Sequence, residues 1–295
     1  MRLVTYLEDG SARLGAVVGD RVVDLNRASG GAVPSTMLEL LARGDAGIEQ
    51  ARAALSGAEG QGVELSSVTL LSPVPRPPKN PMALGLNYRE HAIESATAKG
   101  QPVVFPAVPM IFSKAATSVI GPGAAIEIDD RATQQVDWEI ELAIVIGTTA
   151  KNVRKEDAFN YIAGYTVAND VSARDLQFAH VQFFRGKSQD THCPLGPWLV
   201  TRDEIPDPGD LDVKLRVNGV TKQDSNTSEL IFDIPTIIET LSAGMTLEPG
   251  DVILTGTPSG VGFARNPQEF LKPGDVVEAE IEKIGVLRNP VTAAR

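Results

Sequence analysis

The stretch VDWEIELAIVIG, Val136–Gly147, constrains the fold more than any other part of the chain. Trp138, Ile140, Leu142, Ile144 and Ile146 recur at every second position, the period of a β-strand with one buried face. The opposite face opens with Asp137, Glu139 and Glu141. Side chains two apart on a strand project from the same side, so Glu139 and Glu141 stand together. Like charges so placed destabilise a sheet unless something neutralises them. A divalent cation does this, and hard cations such as Mg²⁺ prefer carboxylate oxygens. The ordinary alternative is a solvent-facing row of acids on an antiparallel strand.

A chain of 295 residues holds one large domain or two. Its 42% hydrophobic and 22% charged residues are those of a globular protein with a well-buried core. There is no apolar run of transmembrane length, and the N-terminal MRLVTYLEDG turns acidic at Glu8, unlike a secretory signal. Cys193 is the single cysteine, which excludes an intrachain disulfide and a cysteine-clustered zinc site and fits a reducing cytoplasm. A net charge of −11 argues against nucleic-acid or membrane partners. An acidic small molecule stays open, because a bound cation reverses the field locally.

The pattern divides into a small N-terminal unit, residues 1–72, a stiff Pro-rich linker, 73–81, with five prolines, and a large remainder, 82–295. In the first unit, residues 2–8 and 14–25 read as strands with a Gly19-Asp20 turn. Thr36 and Glu39 form a capping box before a helix, and a second helix covers 46–56. The remainder reads as mostly strands with turn signals, plus helices at 154–163 and in PTIIETLSAG. Strands and helices do not alternate, so a doubly wound parallel sheet is not expected. The class is α+β, mostly β.

Asp170 ends the apparent strand TVAND, with Ser172 as the expected cap of a following helix. As a third oxygen donor it completes a facial set with Glu139 and Glu141; as a turn residue it is of an ordinary type. Three carboxylates without cysteine or histidine favour Mg²⁺ or Mn²⁺ over zinc. His91 and Glu94, in GLNYREHAIE, share a helical face at i,i+3, where the acid can orient the imidazole as a general base; a surface helix turn has the same spacing. Residues 95–109 read as a lid or as an ordinary loop. GKSQDTHCPLGP lacks the upstream glycine of a P-loop, so Lys187 reads as a fixed positive charge for an oxyanion. The amides of GDVILTGTPSGVG, with Thr257, suit an anionic group.

In this order, GLNYREHAIE, IFSKAATSVIG, VDWEIELAIVIG, GYTVANDVSARDLQ, GKSQDTHCPLGPW, VNG and GDVILTGTPSGVG make residues 82–291 resemble the fumarylacetoacetate hydrolase family. The resemblance implies a mixed β-sandwich roll of the fumarylacetoacetase C-terminal type, a small N-terminal α+β accessory domain and a homodimer. It implies Glu139, Glu141 and Asp170 as metal ligands, His91, Glu94 and Lys187 as catalytic residues, and Arg174, Gln177 and Thr257 near the substrate. Lys114 matches a common family lysine whose role the sequence leaves open. Asp137 then reads as structural rather than as a ligand.

By the same resemblance the substrate is a 2-oxo or β-diketo acid, and the cation stabilises an enolate. The expected reaction is C–C bond cleavage, of the acylpyruvate hydrolase or oxaloacetate decarboxylase type. The alternatives are a 2-hydroxyhepta-2,4-diene-1,7-dioate-type isomerase and, from another class, a non-catalytic metal- or ligand-binding module. Fold alone does not choose among them.

Overall fold

In the computed structural model, which describes residues 1–294, two sheets organise the chain. The larger has twelve strands. At its centre, Cys193–Thr201, Ile162–Asn169, Ile140–Ile146, Val252–Leu254 and Met82–Gly85 lie side by side. The smaller has five, in the order Val220–Asn226, Asp212–Val217, Val276–Ile281, Gly285–Ala293 and Ile126–Ile128. Most neighbours are antiparallel, but Val252–Leu254 runs parallel to Met82–Gly85 and Gly285–Ala293 parallel to Ile126–Ile128. The sheets are therefore mixed, and they bury one core between them, with Leu142, Ile144 and Val167 from the first sheet and Leu215, Ala279 and Leu287 from the second.

The N-terminal segment continues the large sheet. Arg2–Glu8 pairs antiparallel with Ser11–Val18 on one side and with Cys193–Thr201 on the other. The hairpin turn falls at Gly19-Asp20. The helices Met37–Leu41 and Gly44–Ala54 cover this end of the sheet, and Met37, Leu40, Leu41 and Ala51 join Leu3, Leu14 and Ala143 in a second core. Thr36 caps the first of them: its oxygen accepts from the Glu39 amide at 3.4 Å and its hydroxyl donates to the Glu39 carboxylate at 2.7 Å. Residues 73–81 carry neither helix nor strand.

The acidic stretch differs from a simple half-buried strand. It is broken at Trp138: Val136–Asp137 pairs with Ser172–Ala173, while Ile140–Ile146 sits inside the large sheet. All seven residues of Ile140–Ile146 are buried. Ile140, Leu142, Ile144 and Ile146 face one core, and Ala143 and Val145 face the other. The alternation seen in the sequence thus separates two apolar interiors, not core from solvent. Two local expectations also change. Ser172 lies in the short strand pair and donates to the Asp170 carbonyl, so the helix Arg174–Ala179 begins without a side-chain cap. The helix expected at 154–163 is of the tighter 3-10 kind, Lys155–Tyr161. Among the described residues no helix is long and apolar enough to cross a membrane.

His192 is buried where the small sheet meets the large one, its Nε2 3.2 Å from the Glu127 carbonyl oxygen. Burial, and then the Lys114 charge, push its pKa from 6.5 down to about 3. The fold therefore needs a neutral ring, whereas the unfolded chain takes up a proton below its ordinary value. The stabilisation is complete above that value and is lost as pH falls toward the folded one, by about 1.4 kcal/mol per pH unit. His192→Gln is expected to flatten the acid-side loss of stability by about that slope. Urea unfolding of both proteins across the window reads it, and equal slopes would refute it.

Candidate active site

Four carboxylates meet inside the protein at the end of the acidic strand. Glu139, Glu141 and Asp170 each offer an oxygen, and the three oxygens lie within 4.8 Å of one another. Asp137 is wholly buried beside them. The backbone fixes the group: the Asp170 amide donates to the Glu139 carbonyl at 2.8 Å, and the Glu139 amide to Asn169 Oδ1 at 2.9 Å.

Three cations face these acids. Lys187 Nζ donates to Glu139 Oε2 and to Asp170 Oδ2, both at 2.6 Å. Lys114 Nζ lies 2.5 Å from Asp170 Oδ1 and donates to the carbonyls of Val171 and Lys187. Arg174 donates Nε to Asp137 Oδ2 at 2.8 Å and sets a terminal nitrogen 2.6 Å from Glu139 Oε1, an ion contact without hydrogen-bond alignment. Four carboxylates against three cations leave one negative charge. It falls on Glu141, which has no cationic partner among the described residues and accepts only from the Gly256 amide, at 2.5 Å. Burial, then Asp170 and Glu139, raise the proton affinity of Glu141 well above that of an ordinary carboxyl group. Glu139 is shifted down despite its burial, because Lys187 and Arg174 outweigh it. A divalent cation among these oxygens would reverse the net sign of the cluster, from one negative to one positive. The donor set fits such an ion: all oxygen, buried, and short of positive charge.

The helix Arg89–Ala98 brings the second group. His91 Nδ1 is 2.9 Å from Glu94 Oε1, and the Gly260 amide donates to both oxygens of Glu94, at 2.9 and 3.1 Å. Gly260 holds φ at +103°, and a Cβ there would meet the Lys222 carbonyl at 2.1 Å. The position thus tolerates little but glycine. With Nδ1 engaged by Glu94, Nε2 is the nitrogen left to the cleft, which His91 lines together with Glu139, Lys187, Arg174, Gln177 and Thr257. Leu84, Phe112, Phe178, Phe183 and Phe263 form its apolar wall. The cleft holds only about 50 Å³, whereas a larger depression, about 860 Å³, lies between Asn218, Gln268 and Asp275 and holds acids and lysines but not the close carboxylate triad. We place the chemistry by the ionisable groups, not by volume.

The structure thus gathers the residues singled out in the sequence, with some different partners. Arg174 and Lys187 are turned to protein carboxylates; Arg174 also donates to Gln177 Oε1 at 2.9 Å. The glycine-rich loop does bind anions, but they are the protein's own Glu141 and Glu94. Lys114, of open role, ties Asp170 to the turn carrying Lys187. Gln223 gave no signal: its Oε1 accepts from the Ile140 amide at 3.0 Å and its Nε2 donates to Thr257 Oγ1 at 2.8 Å. A lone glutamine on a strand looks like any exposed residue until its partner strand is known.

Comparison with known proteins agrees with this geometry. The family model described as fumarylacetoacetate (FAA) hydrolase C-terminal matches residues 81–292. The chain belongs to the fumarylacetoacetate hydrolase family. It is 43% identical over 291 residues to a Bacillus subtilis protein named oxaloacetate tautomerase YisK, covering 94% of this chain and 95% of that one. Among solved structures, maleylpyruvate hydrolase from Sphingobium sp. SYK-6, in complex with manganese(II) and pyruvate, is 34% identical with a TM-score of 0.80 over 100% of both chains. A 2-hydroxyhepta-2,4-diene-1,7-dioate isomerase from Mycobacterium marinum is 34% identical with a TM-score of 0.74, covering 99% of this chain and 98% of that one. The protein is an enzyme of this family, which leaves the non-catalytic alternative without support.

The charge count makes a test with opposite signs. Glu141→Gln removes the unmatched charge, so the metal-free protein is expected to be at least as stable as the parent. Asp170→Asn leaves Lys114 without a carboxylate and Lys187 with Glu139 alone, and is expected to cost about 3–5 kcal/mol. In the parent, Mn²⁺ at about a hundred times its Kd should add about 2.7 kcal/mol, a rise in melting temperature of about 5 °C or more that chelation reverses. The same rise in Glu141→Gln would exclude the triad as the cation's seat.

Proposed function

We propose that the protein is a divalent-metal-dependent enzyme of 2-oxo acid enol chemistry, and that its reaction is keto–enol tautomerisation of an oxaloacetate-like diacid. The observation that carries this reading is the meeting of the acid triad with one oriented imidazole in a narrow cleft. The B. subtilis relative, alike over nearly its whole length, supports the reaction class.

Glu139, Glu141 and Asp170 would hold Mg²⁺ or Mn²⁺, which supplies Lewis-acid stabilisation to an oxyanion forming at the 2-oxo position. His91 does the proton work. Glu94, anchored by the Gly260 amide, accepts a hydrogen bond from Nδ1 and fixes the ring. Nε2 then takes the proton from C3 and delivers it to the 2-oxygen to give the enol, and reverses both transfers to give the keto acid. Arg174 and Lys187 neutralise Glu139 and Asp170 and hold them in place. Lys187 also keeps positive charge beside the reacting oxygen, and Gln177 and Thr257 offer it polar edges. The phenylalanine wall keeps bulk water from the enol.

Cleavage of a C–C bond, the reaction expected from the sequence, is the second reading. The maleylpyruvate hydrolase neighbour favours it, and there His91 would activate water. The two separate on one substrate panel: enol and keto oxaloacetate, acetylpyruvate and a 2-hydroxy-dienedioate, each with Mg²⁺ or Mn²⁺. Tautomerisation is expected to outrun pyruvate release from any of them. Glu139→Ala and chelation should abolish it, and His91→Ala should lower kcat by about 10²–10⁴-fold. Pyruvate release faster than tautomerisation would select the second reading. Full activity after chelation would overturn both.

A further inference from the structure

We infer that Lys99 is the specificity-determining cation of the cleft and binds the distal carboxylate of a 2-oxo diacid; this rests on the functional reading above and names the residue that selects its substrate class.

The argument starts from the helix. His91, Ser95 and Lys99 follow at i, i+4 and i+8, and all three line the cleft. They form one stripe, on the face that carries the candidate base. Lys99 is the C-terminal cap, its amide donating to the Ser95 carbonyl at 3.2 Å. Its Cα stands about 12 Å along the axis from that of His91, and helical side chains lean toward the N-terminus, which returns the ammonium toward the imidazole. The ammonium rests 4.9 Å from the Phe178 ring centre and 5.9 Å from that of Phe263, both part of the cleft wall.

What separates Lys99 from the other cations of the cleft is its lack of an acid. Arg174 faces Asp137 and Glu139, and Lys187 faces Glu139 and Asp170. No carboxylate among the described residues lies within 4.0 Å of the Lys99 ammonium. Desolvation, and then repulsion from Arg174, lower its pKa. Lys99 is itself exposed at the mouth of the cleft. An ammonium set there against aromatic rings, repelled by Arg174, attracted only from a distance by Glu139 and touching no carboxylate, gains from an arriving one. The 1-carboxylate and 2-oxo group of the substrate belong with the triad, so the carboxylate that reaches Lys99 is the far one. A surface lysine that merely covers phenylalanine with its stem would show the same ring contacts, and the substitutions below separate the two.

Lys99→Met keeps the stem and removes the charge. It is expected to raise the ratio of KM for oxaloacetate to KM for its 4-methyl ester about tenfold, with kcat changed little, and Lys99→Arg is expected to restore the ratio. An unchanged ratio in Lys99→Met, or one that Lys99→Arg does not restore, overturns the inference. Calorimetry covers the case in which wild-type protein turns over no 2-oxo acid and the functional reading itself fails. With Mn²⁺ present, 3,3-difluoro-oxaloacetate, which has no C3 proton to transfer, should bind about tenfold more weakly to Lys99→Met. Oxalate, which has no distal group, should bind both proteins alike. Equal weakening of the two ligands, or of neither, also overturns it.

Discussion

The site depends on the burial of four acids, Asp137, Glu139, Glu141 and Asp170, beside only three cations, Lys114, Arg174 and Lys187. Removing a carboxylate from water costs several kcal/mol, and a single buried partner seldom repays it in full. The structure answers with shared partners. Lys187 spans Glu139 and Asp170, and Arg174 spans Asp137 and Glu139. Lys114 then holds Asp170 and, through two backbone carbonyls, the turn that delivers Lys187. Segments far apart in sequence are thereby locked to one another by charge, and the sheets supply the closed surroundings in which such bonds are strong.

That network also accounts for what the sequence reveals. Glu139 and Glu141 stand out because two acids in an otherwise apolar strand violate the pattern around them, and a conflict of that kind marks function. His91 and Glu94 are legible because helical spacing is local. Asp170 is legible only as the end of an apolar run. The partners of these residues are hidden. Gln223, Gly256 and Gly260 act across strand and loop contacts, and no periodicity encodes which loop meets which helix. Lys99 is hidden for another reason: it falls in a stretch of small residues with weak pattern, and its significance is the absence of a partner, which only three-dimensional placement discloses.

The strand Ile140–Ile146 shows how one signal carries two meanings. Its alternation is that of a half-exposed strand, yet both faces are buried. One face is filled by Ile and Leu against the second sheet, the other by Ala143 and Val145 against the helices of the N-terminal segment. Small residues on that second face let the covering layer come close. The acids precede them on the same side, so the site opens where this second core ends. The fold and the chemistry thus share one strand, and the transition from alanine and valine to glutamate marks the boundary between them.

On the proposed function, the choice among enol reactions would lie elsewhere, on the helix Arg89–Ala98. Its attachment is largely polar: Glu90 accepts from the Ser259 hydroxyl at 3.0 Å and Glu94 from the Gly260 amide, while Ile93, its large apolar side chain, is exposed and only the small Ala92 is buried among its apolar residues. A few hydrogen bonds, each worth about 1 kcal/mol net, hold the base in position, whereas the triad is fixed by a strand in the middle of a sheet. On that reading the candidate cation seat is the rigid half of the site and the candidate proton-transfer group the adjustable half. A relative with a tautomerase name shares 43% of its aligned residues with this chain, and solved structures with hydrolase and isomerase names share its fold. On the proposed function, small changes in how the helix sets its imidazole, and in which of its residues meets the far end of the substrate, would redirect an enol toward a proton, a water or a shifted double bond.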